Sequence, residues 1–456
     1  MSGVDGRVSD IIYGVDQPNL TPKALHTTIY ETYYSSMDTS WNEKSLEDII
    51  ESHLLATHGY EKGSSASFDR VNALDRGPLL QFLERTQKDT LDAYKIEAGA
   101  KWQDKLCDAL ALTIGKYGVV HALLNGFKCG ANGKFDLYFP RPSVLATDAQ
   151  KARWNANLFA VTRQLHFSSV AAADSLDLAV FVNGLPIATF ELKNAFTGQT
   201  VVHAMRQYKD DRPSKEPLFR FGRCLVHFAV DSDEAYMTTH LNDAKTQFLP
   251  FNKGTKKGGG NPPSEEGPRT SYLWEDVFSK EGLGELLEGF AKMVEEKGDD
   301  GKKKHKLLFP RYHQRNCVQK LLAHAAQYGA GQKYLVQHSA GSGKSNTIGW
   351  LCKGLVGLQH QNQTLFDTVV LVTDLRVLDS QIAATVLSIV DDKNLVEHAK
   401  EGSFQLKHAL QSGKKIIVTT IQKFPFILDQ IGDLPQSRFA VVIDEAHSSQ
   451  LSLIHI

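Results

Sequence analysis

The chain has 456 residues, 51 Lys and Arg against 52 Asp and Glu, a formal net charge of -1, and hydrophobic and charged fractions of 42% and 23%. That length exceeds a single core of about 150 residues, and the composition is that of an ordinary globular protein, which excludes a disordered or fibrous chain. The balanced charge excludes a globally cationic surface, so any grip on a polyanion must come from local basic patches and backbone amides.

The five cysteines, Cys107, Cys129, Cys224, Cys317 and Cys352, are scattered and never in a CxxC or Cys/His ligand spacing, which reads as a reduced cytoplasm. The start, Met1-Ser2-Gly3-Val4-Asp5-Gly6, has no signal-peptide pattern. No later run reaches the roughly 18 apolar residues of a membrane span, so no membrane association is expected.

Residues 1–40 are polar and weakly periodic and read as an N-terminal extension. Leu46, Ile49, Ile50 and Leu54 then mark one helical face, with Ser45 and Asp48 suited to a capping box. On this helix Glu47 and Glu51 stand one turn apart, a solvated pair or an additional metal ligand. Helical pattern continues from about Leu79 to Leu112, and short β-rich runs follow from about Phe135 to Leu241. Residues 41–250 therefore read as one mixed α/β domain.

Within it, Leu176 to Lys193 reads as a hairpin with Asp177 on one arm and Glu191 and Lys193 on the other. Two carboxylates about 5 Å apart repel by roughly 3 kcal/mol at an effective dielectric of about 20, so Asp177 and Glu191 need a compensating charge if they share a site. A divalent ion supplies it. Oxygen ligands favour magnesium, which activates water for attack on phosphorus, with Lys193 positioning that water or stabilising charge. Strand parity sets a condition: a bare two-residue Asn183-Gly184 turn places Glu191 on the face opposite Asp177 and removes the site. A bulged three-residue loop, Val182-Asn183-Gly184, shifts the register by one and unites the three side chains, so that loop is expected.

Residues 251–306 read as a linker with a helix: Asn252 to Pro263 is rich in glycine, proline and lysine, a helical stretch runs from about Leu283 to Val294, and Glu295 to Lys306 is polar. That polar run is a solvated connection or, with Lys302 to Lys306, a phosphate-contacting strip. Residues 307–450 alternate apolar strands with helices, the pattern of a parallel sheet.

In this second half Tyr334 to Gln337 is a short strand running into His338-Ser339-Ala340-Gly341-Ser342-Gly343-Lys344-Ser345 and a helix. A strand, a glycine turn and a helix start make a phosphate cradle in which Gly341, Ser342 and Gly343 supply backbone amides, Lys344 reaches the β and γ phosphates of ATP, and Ser345 ligates Mg2+. The first glycine of the strict G-x-x-x-x-G-K-[ST] pattern is replaced by His338. About a hundred residues on, the strand Phe439 to Ile443 ends in Asp444-Glu445-Ala446-His447, where Asp444 would hold magnesium through water and Glu445 would polarise the attacking water. Gln314 lies about thirty residues before Lys344, in the place of an adenine-reading glutamine, and the strand ends Thr373-Asp374 and Thr420-Ile421-Gln422-Lys423-Phe424 offer backbone-contacting polar groups.

Asp177, Glu191 and Lys193 fit the PD-(D/E)xK nuclease pattern, and the P-loop to DEAH series resembles motifs Q, I, Ia, Ib and II of superfamily 2 helicases. Together with Arg163-Gln164-Leu165, Phe190 to Asn194 and Asp444 to Gln450, the chain from about Leu46 to Gln450 resembles the restriction (R) subunit of type I restriction-modification enzymes. The resemblance implies a PD-(D/E)xK nuclease domain followed by one RecA-like lobe, ATP and Mg2+ as cofactors, double-stranded DNA as substrate, and methyltransferase (M) and specificity (S) subunits as partners. It implies DNA cleavage coupled to ATP-driven translocation. The related Q-x-x-x-Y pattern is not matched, because Gln207 adjoins Tyr208 and Ala204 takes the glutamine's place.

The second motor lobe is not in the sequence, so ATP binding with negligible turnover is expected, and Leu451 to Ile456 reads as a non-native tail matching a transposon-end sequencing adapter. Two other readings stand beside this one. The first is an ATP-responsive DNA-binding module with an inert nuclease domain; the second is a single-chain restriction-helicase carrying its own methyltransferase.

Overall fold

The computed structural model describes residues 11–12, 46–143, 145–194, 198–256, 258–265, 267–297, 301, 303–339, 341–373, 376–390, 392–399, 402–423 and 437–445. The expected extension (apart from 11–12), Ser45, Asp374, Phe424, Ala446, His447 and the tail from Leu451 fall outside these residues. The chain divides into two compact α/β units, residues 15–311 and residues 312–456 with 1–14. No single helix among the described residues is long and apolar enough to cross a membrane.

The first unit is built on a seven-stranded sheet whose spatial order follows the chain. Its strands are β1 (Glu61–Lys62), β2 (Phe159–His166), β3 (Ser175–Val182), β4 (Leu185–Leu192), β5 (Val226–Val230), β6 (Ala235–Thr238) and β7 (Leu249–Pro250). Strand β4 lies at the middle, antiparallel to β3 and parallel to β5, and all eight of its residues are buried. A strand covered on both faces reads as one apolar run, which is why Leu185 to Leu192 shows little alternation.

One face carries helix α1 (Leu46–His58) and a cluster of aromatic rings. Phe190 and Phe228 stack at 5.5 Å, and Phe278 meets them edge-on at 5.1 and 5.6 Å. Phe251 and Phe309 close the group. The described residues between Phe251 and Phe309 thus pack onto the sheet and are not the bare connection the sequence suggested: Tyr272 donates to Phe251 O at 2.6 Å, and Trp274, Val277 and Phe278 are buried. The helical stretch also ends earlier than expected, at Phe290, and Lys292–Lys297 pairs with Lys303–Leu308 as an antiparallel ribbon. Glu295 and Glu296 answer Lys303 and Lys306 across that ribbon, at 2.8 and 3.1 Å, so the described parts of the polar run are paired strands.

The other face carries helix α2 (Val201–Asp210), whose Val201, Ala204 and Tyr208 enter a core with Ala179, Phe181 and Phe219. The amide of Val201 is capped by Asp231 Oδ2 at 2.7 Å. Tyr208 OH bonds Thr189 Oγ1 at 2.8 Å, and that hydroxyl meets His227 Nδ1 at 2.7 Å. Burial drives the His227 imidazole down to about 3, so this chain of three groups is neutral.

The second unit holds a four-stranded parallel sheet. Its strands are β8 (Thr368–Thr373), β9 (Val396–His398), β10 (Ile416–Thr420) and β11 (Phe439–Ile443), in the order β9-β10-β8-β11. Helices α3 (Tyr312–Tyr328), α4 (Lys344–Leu355), α5 (Arg376–Ile389) and α6 (Gly402–Gln411) complete it. The expected strand before the glycine turn is only Leu335–Val336; it pairs with Ile11–Ile12 and is not hydrogen-bonded into the parallel sheet.

Candidate active site

The β3-β4 turn is the two-residue Asn183-Gly184 turn, with φ of +50° and +80°, not the expected three-residue loop. Its Asn183 is fully buried, accepting from Leu158 N and donating to Leu137 O and Asn157 Oδ1. Asp177 and Glu191 nevertheless come to a shared face, because the register shifts further along β4. Phe181 pairs with Pro186 and Val180 with Ala188, leaving Ile187 as the extra residue of a β-bulge. Pro186 has no N–H to give a ladder and is tolerated beside such an irregularity. Past the bulge Leu178 faces Phe190, so one step on Asp177 lies across from Glu191, with Lys193 two residues further on the same side.

There Asp177 Oδ2 accepts from Leu192 N at 2.7 Å and lies 3.9 Å from Lys193 Nζ. Glu191 is fully buried. Its Oε1 accepts from Arg212 Nε at 2.7 Å, while its Oε2 is shielded from solvent and has no hydrogen-bond partner. Burial raises the Glu191 carboxyl to about 8, the charge of Asp177 pushes the same way, and Arg212 and Lys193 oppose both. The compensation the sequence argument assigned wholly to a divalent ion is thus supplied in part by the protein. Arg212 was not foreseen: it sits 21 residues from Glu191, in the polar run after α2, and only the helix lying over the strand brings it back.

Among the described residues no group of three or more His, Cys, Asp or Glu is placed to hold a metal ion. The donor set still suits magnesium, which is commonly bound by one or two carboxylates with waters and phosphate oxygens completing its shell; an unpartnered buried carboxylate oxygen beside a second acid is such a set. Glu47 and Glu51 do not join it. They belong to the Phe190 face, where Arg163 meets them at 3.2 and 3.6 Å and Lys62 meets Glu51 at 3.2 Å. Gln207 is half-buried and forms no hydrogen bond to Asp177, Glu191 or Lys193, whereas Tyr208 packs beside the site through Thr189.

In the second unit Gly341 and Gly343, with φ of +73° and +86°, turn the backbone into α4, which begins at Lys344 and Ser345. Ser342 is buried and Ser345 half-buried. Strands β8, β10 and β11 end at Thr373, Thr420 and Ile443, and Asp444 follows with its N–H on Val372 O at 2.9 Å. Their carboxyl ends form the edge where open α/β sheets bind ligands. Glu445, at φ of +53°, forms an ion pair with Lys344, joining the glycine turn to the acidic strand end. Gln314 donates its amide to Gly343 O at 2.9 Å, so it braces the turn.

A family described as "Type I restriction enzyme R protein N terminus" matches residues 42–246, and one described as "SWI2/SNF2 ATPase" matches residues 313–456. A putative type I restriction enzyme MjaIXP endonuclease subunit of Methanocaldococcus jannaschii is 26% identical over 305 residues, 60% of this chain and 27% of the relative. The type I restriction enzyme HindI endonuclease subunit of Haemophilus influenzae is 25% identical over 309 residues, 65% of this chain and 28% of the relative. The chain aligns with little more than a quarter of either relative's length, 27% and 28%.

Proposed function

We propose, from the likeness to type I restriction enzyme R proteins over residues 42–246 and to SWI2/SNF2 ATPases over residues 313–456, that the first unit hydrolyses DNA phosphodiesters with a divalent ion while the second binds ATP as the first lobe of a DNA-translocating motor. The observation that carries the reading is the bulge at Ile187, which sets Asp177, Glu191 and Lys193 on one face with a shielded, unpartnered Glu191 oxygen. Asp177 and Glu191 would hold Mg2+, which when bound supplies a more acidic water and a Lewis acid at phosphorus. Asp177 is fixed by the Leu192 amide, so its geometry is set by backbone. Lys193, beside Asp177, holds the attacking water or neutralises charge on the phosphate.

In the second unit Gly341, Ser342, Gly343 and Lys344 would cradle the ATP phosphates, Ser345 and Asp444 would hold their Mg2+, and Glu445 would orient water. Glu445 is paired with Lys344, the residue that would meet the β and γ phosphates. Double-stranded DNA and the methyltransferase and specificity subunits are the partners this reading requires.

The test uses the complete R protein assembled with those subunits. Asp177→Ala, Glu191→Ala or Lys193→Ala should lower DNA cleavage on the order of 10²-fold or more while ATP hydrolysis stays near wild type; Lys344→Ala should abolish ATP binding and cleavage together. Undiminished cleavage with Asp177→Ala would instead favour a DNA-binding module with an inert nuclease domain.

A further inference from the structure

We propose that Arg212 is the positioning residue of the carboxylate site: its guanidinium clamps Glu191 Oε1 and thereby leaves Glu191 Oε2 as the oxygen presented to a divalent cation. The inference rests on reading Asp177 and Glu191 as a metal site. Arg212 is 6% exposed and all three of its nitrogens are engaged. Nε donates to Glu191 Oε1 at 2.7 Å, Nη2 to Ser175 O at 2.8 Å and Nη1 to Asp211 O at 3.0 Å. Its plane lies over the Phe167 ring, 5.3 Å from the centroid.

Two features separate this from an ordinary buried ion pair. The first is asymmetry: an Arg-carboxylate pair formed for its own stability tends to be bidentate and uses both oxygens. Here one oxygen is taken and its twin, equally shielded, is not. The second is reach. Ser175 belongs to β3 two residues before Asp177, so one guanidinium ties the strand carrying the first acid to the side chain of the second. A planar fork can hold both bonds at once; an ammonium at the same place is a single point charge and cannot fix both directions.

Outer groups of this kind typically change metal affinity by about 10- to 100-fold when removed. The experiment measures Mn2+ binding by electron paramagnetic resonance and calorimetry on the complete R protein, comparing wild type, Arg212→Gln, Arg212→Lys and Glu191→Gln, with thermal melts alongside. Arg212→Gln should weaken Mn2+ binding about tenfold or more, Arg212→Lys should recover part of that loss, and cleavage by both should need more Mg2+ with kcat less affected.

Wild-type Mn2+ affinity in Arg212→Gln, with binding abolished in Glu191→Gln, overturns the clamp and leaves the metal site standing. No binding by wild type, or binding indifferent to Glu191→Gln, overturns the metal site and the clamp with it. If Arg212→Gln does not fold, wild-type affinity in Arg212→Lys overturns the clamp, because the fork would then be dispensable.

Discussion

Glu191 is the residue on which the most physics converges. It is a carboxyl with no exposure, one oxygen on a guanidinium and the other on nothing, beside a second acid. Its folded-state value of about 8 lies above the ordinary 4.5, so between those limits the folded chain keeps a proton that the unfolded chain releases. The stability contributed by this group is therefore complete below about pH 4.5 and is lost as pH rises toward 8. Melting temperatures of the metal-free protein should fall over that window, and Glu191→Gln, which cannot titrate, should flatten the slope; an unchanged slope would refute the assignment. Asp177, Glu191 and Lys193 were legible as residue types at a spacing. Arg212 was not, since a buried cation following a polar Asp210-Asp211 reads as surface until α2 is laid on the sheet.

At the scale of elements, the hairpin shows where pattern reading stops. Asn183-Gly184 between two apolar runs marks a turn, but the turn that forms is the two-residue one and not the expected three-residue Val182-Asn183-Gly184 loop. Ile187 is as apolar as its neighbours, however, and nothing in Leu185-Pro186-Ile187-Ala188 except the proline hints that one residue drops out of the ladder. The register is settled by packing on both faces of β4, which a one-dimensional pattern does not contain. Gly184 is the more constrained turn position: at φ of +80°, an added Cβ would lie 2.3 Å from Asp75 O. Gly184→Ala should destabilise the first unit by more than about 1 kcal/mol, read from urea denaturation, with loss of cleavage only where the protein has unfolded.

For the molecule as a whole, the division into two α/β units was visible in the shift from mixed to alternating pattern, but the boundary was not. Residues 251–309 look like a linker because glycine, proline and lysine dominate locally, while their anchoring rings, Phe251, Tyr272, Trp274, Phe278 and Phe309, are dispersed among polar neighbours. Removing even two buried aromatic side chains costs about 6 to 10 kcal/mol, comparable with the 5 to 15 kcal/mol that holds a domain together. A fragment of residues 46–311 should therefore melt cooperatively and one of residues 46–250 should not, as circular dichroism would show.

The central place of β4 also has a kinetic consequence. A strand flanked by neighbours on both edges and covered on both faces has no route to local opening, so its amide hydrogens should exchange with solvent only when the entire first unit unfolds. Mass-resolved deuterium uptake should find Leu185–Leu192 among the slowest segments. If the proposed site on this strand cuts DNA, it would not be silenced by fraying and re-forming its own scaffold, and restraint on cleavage would act through delivery of the duplex.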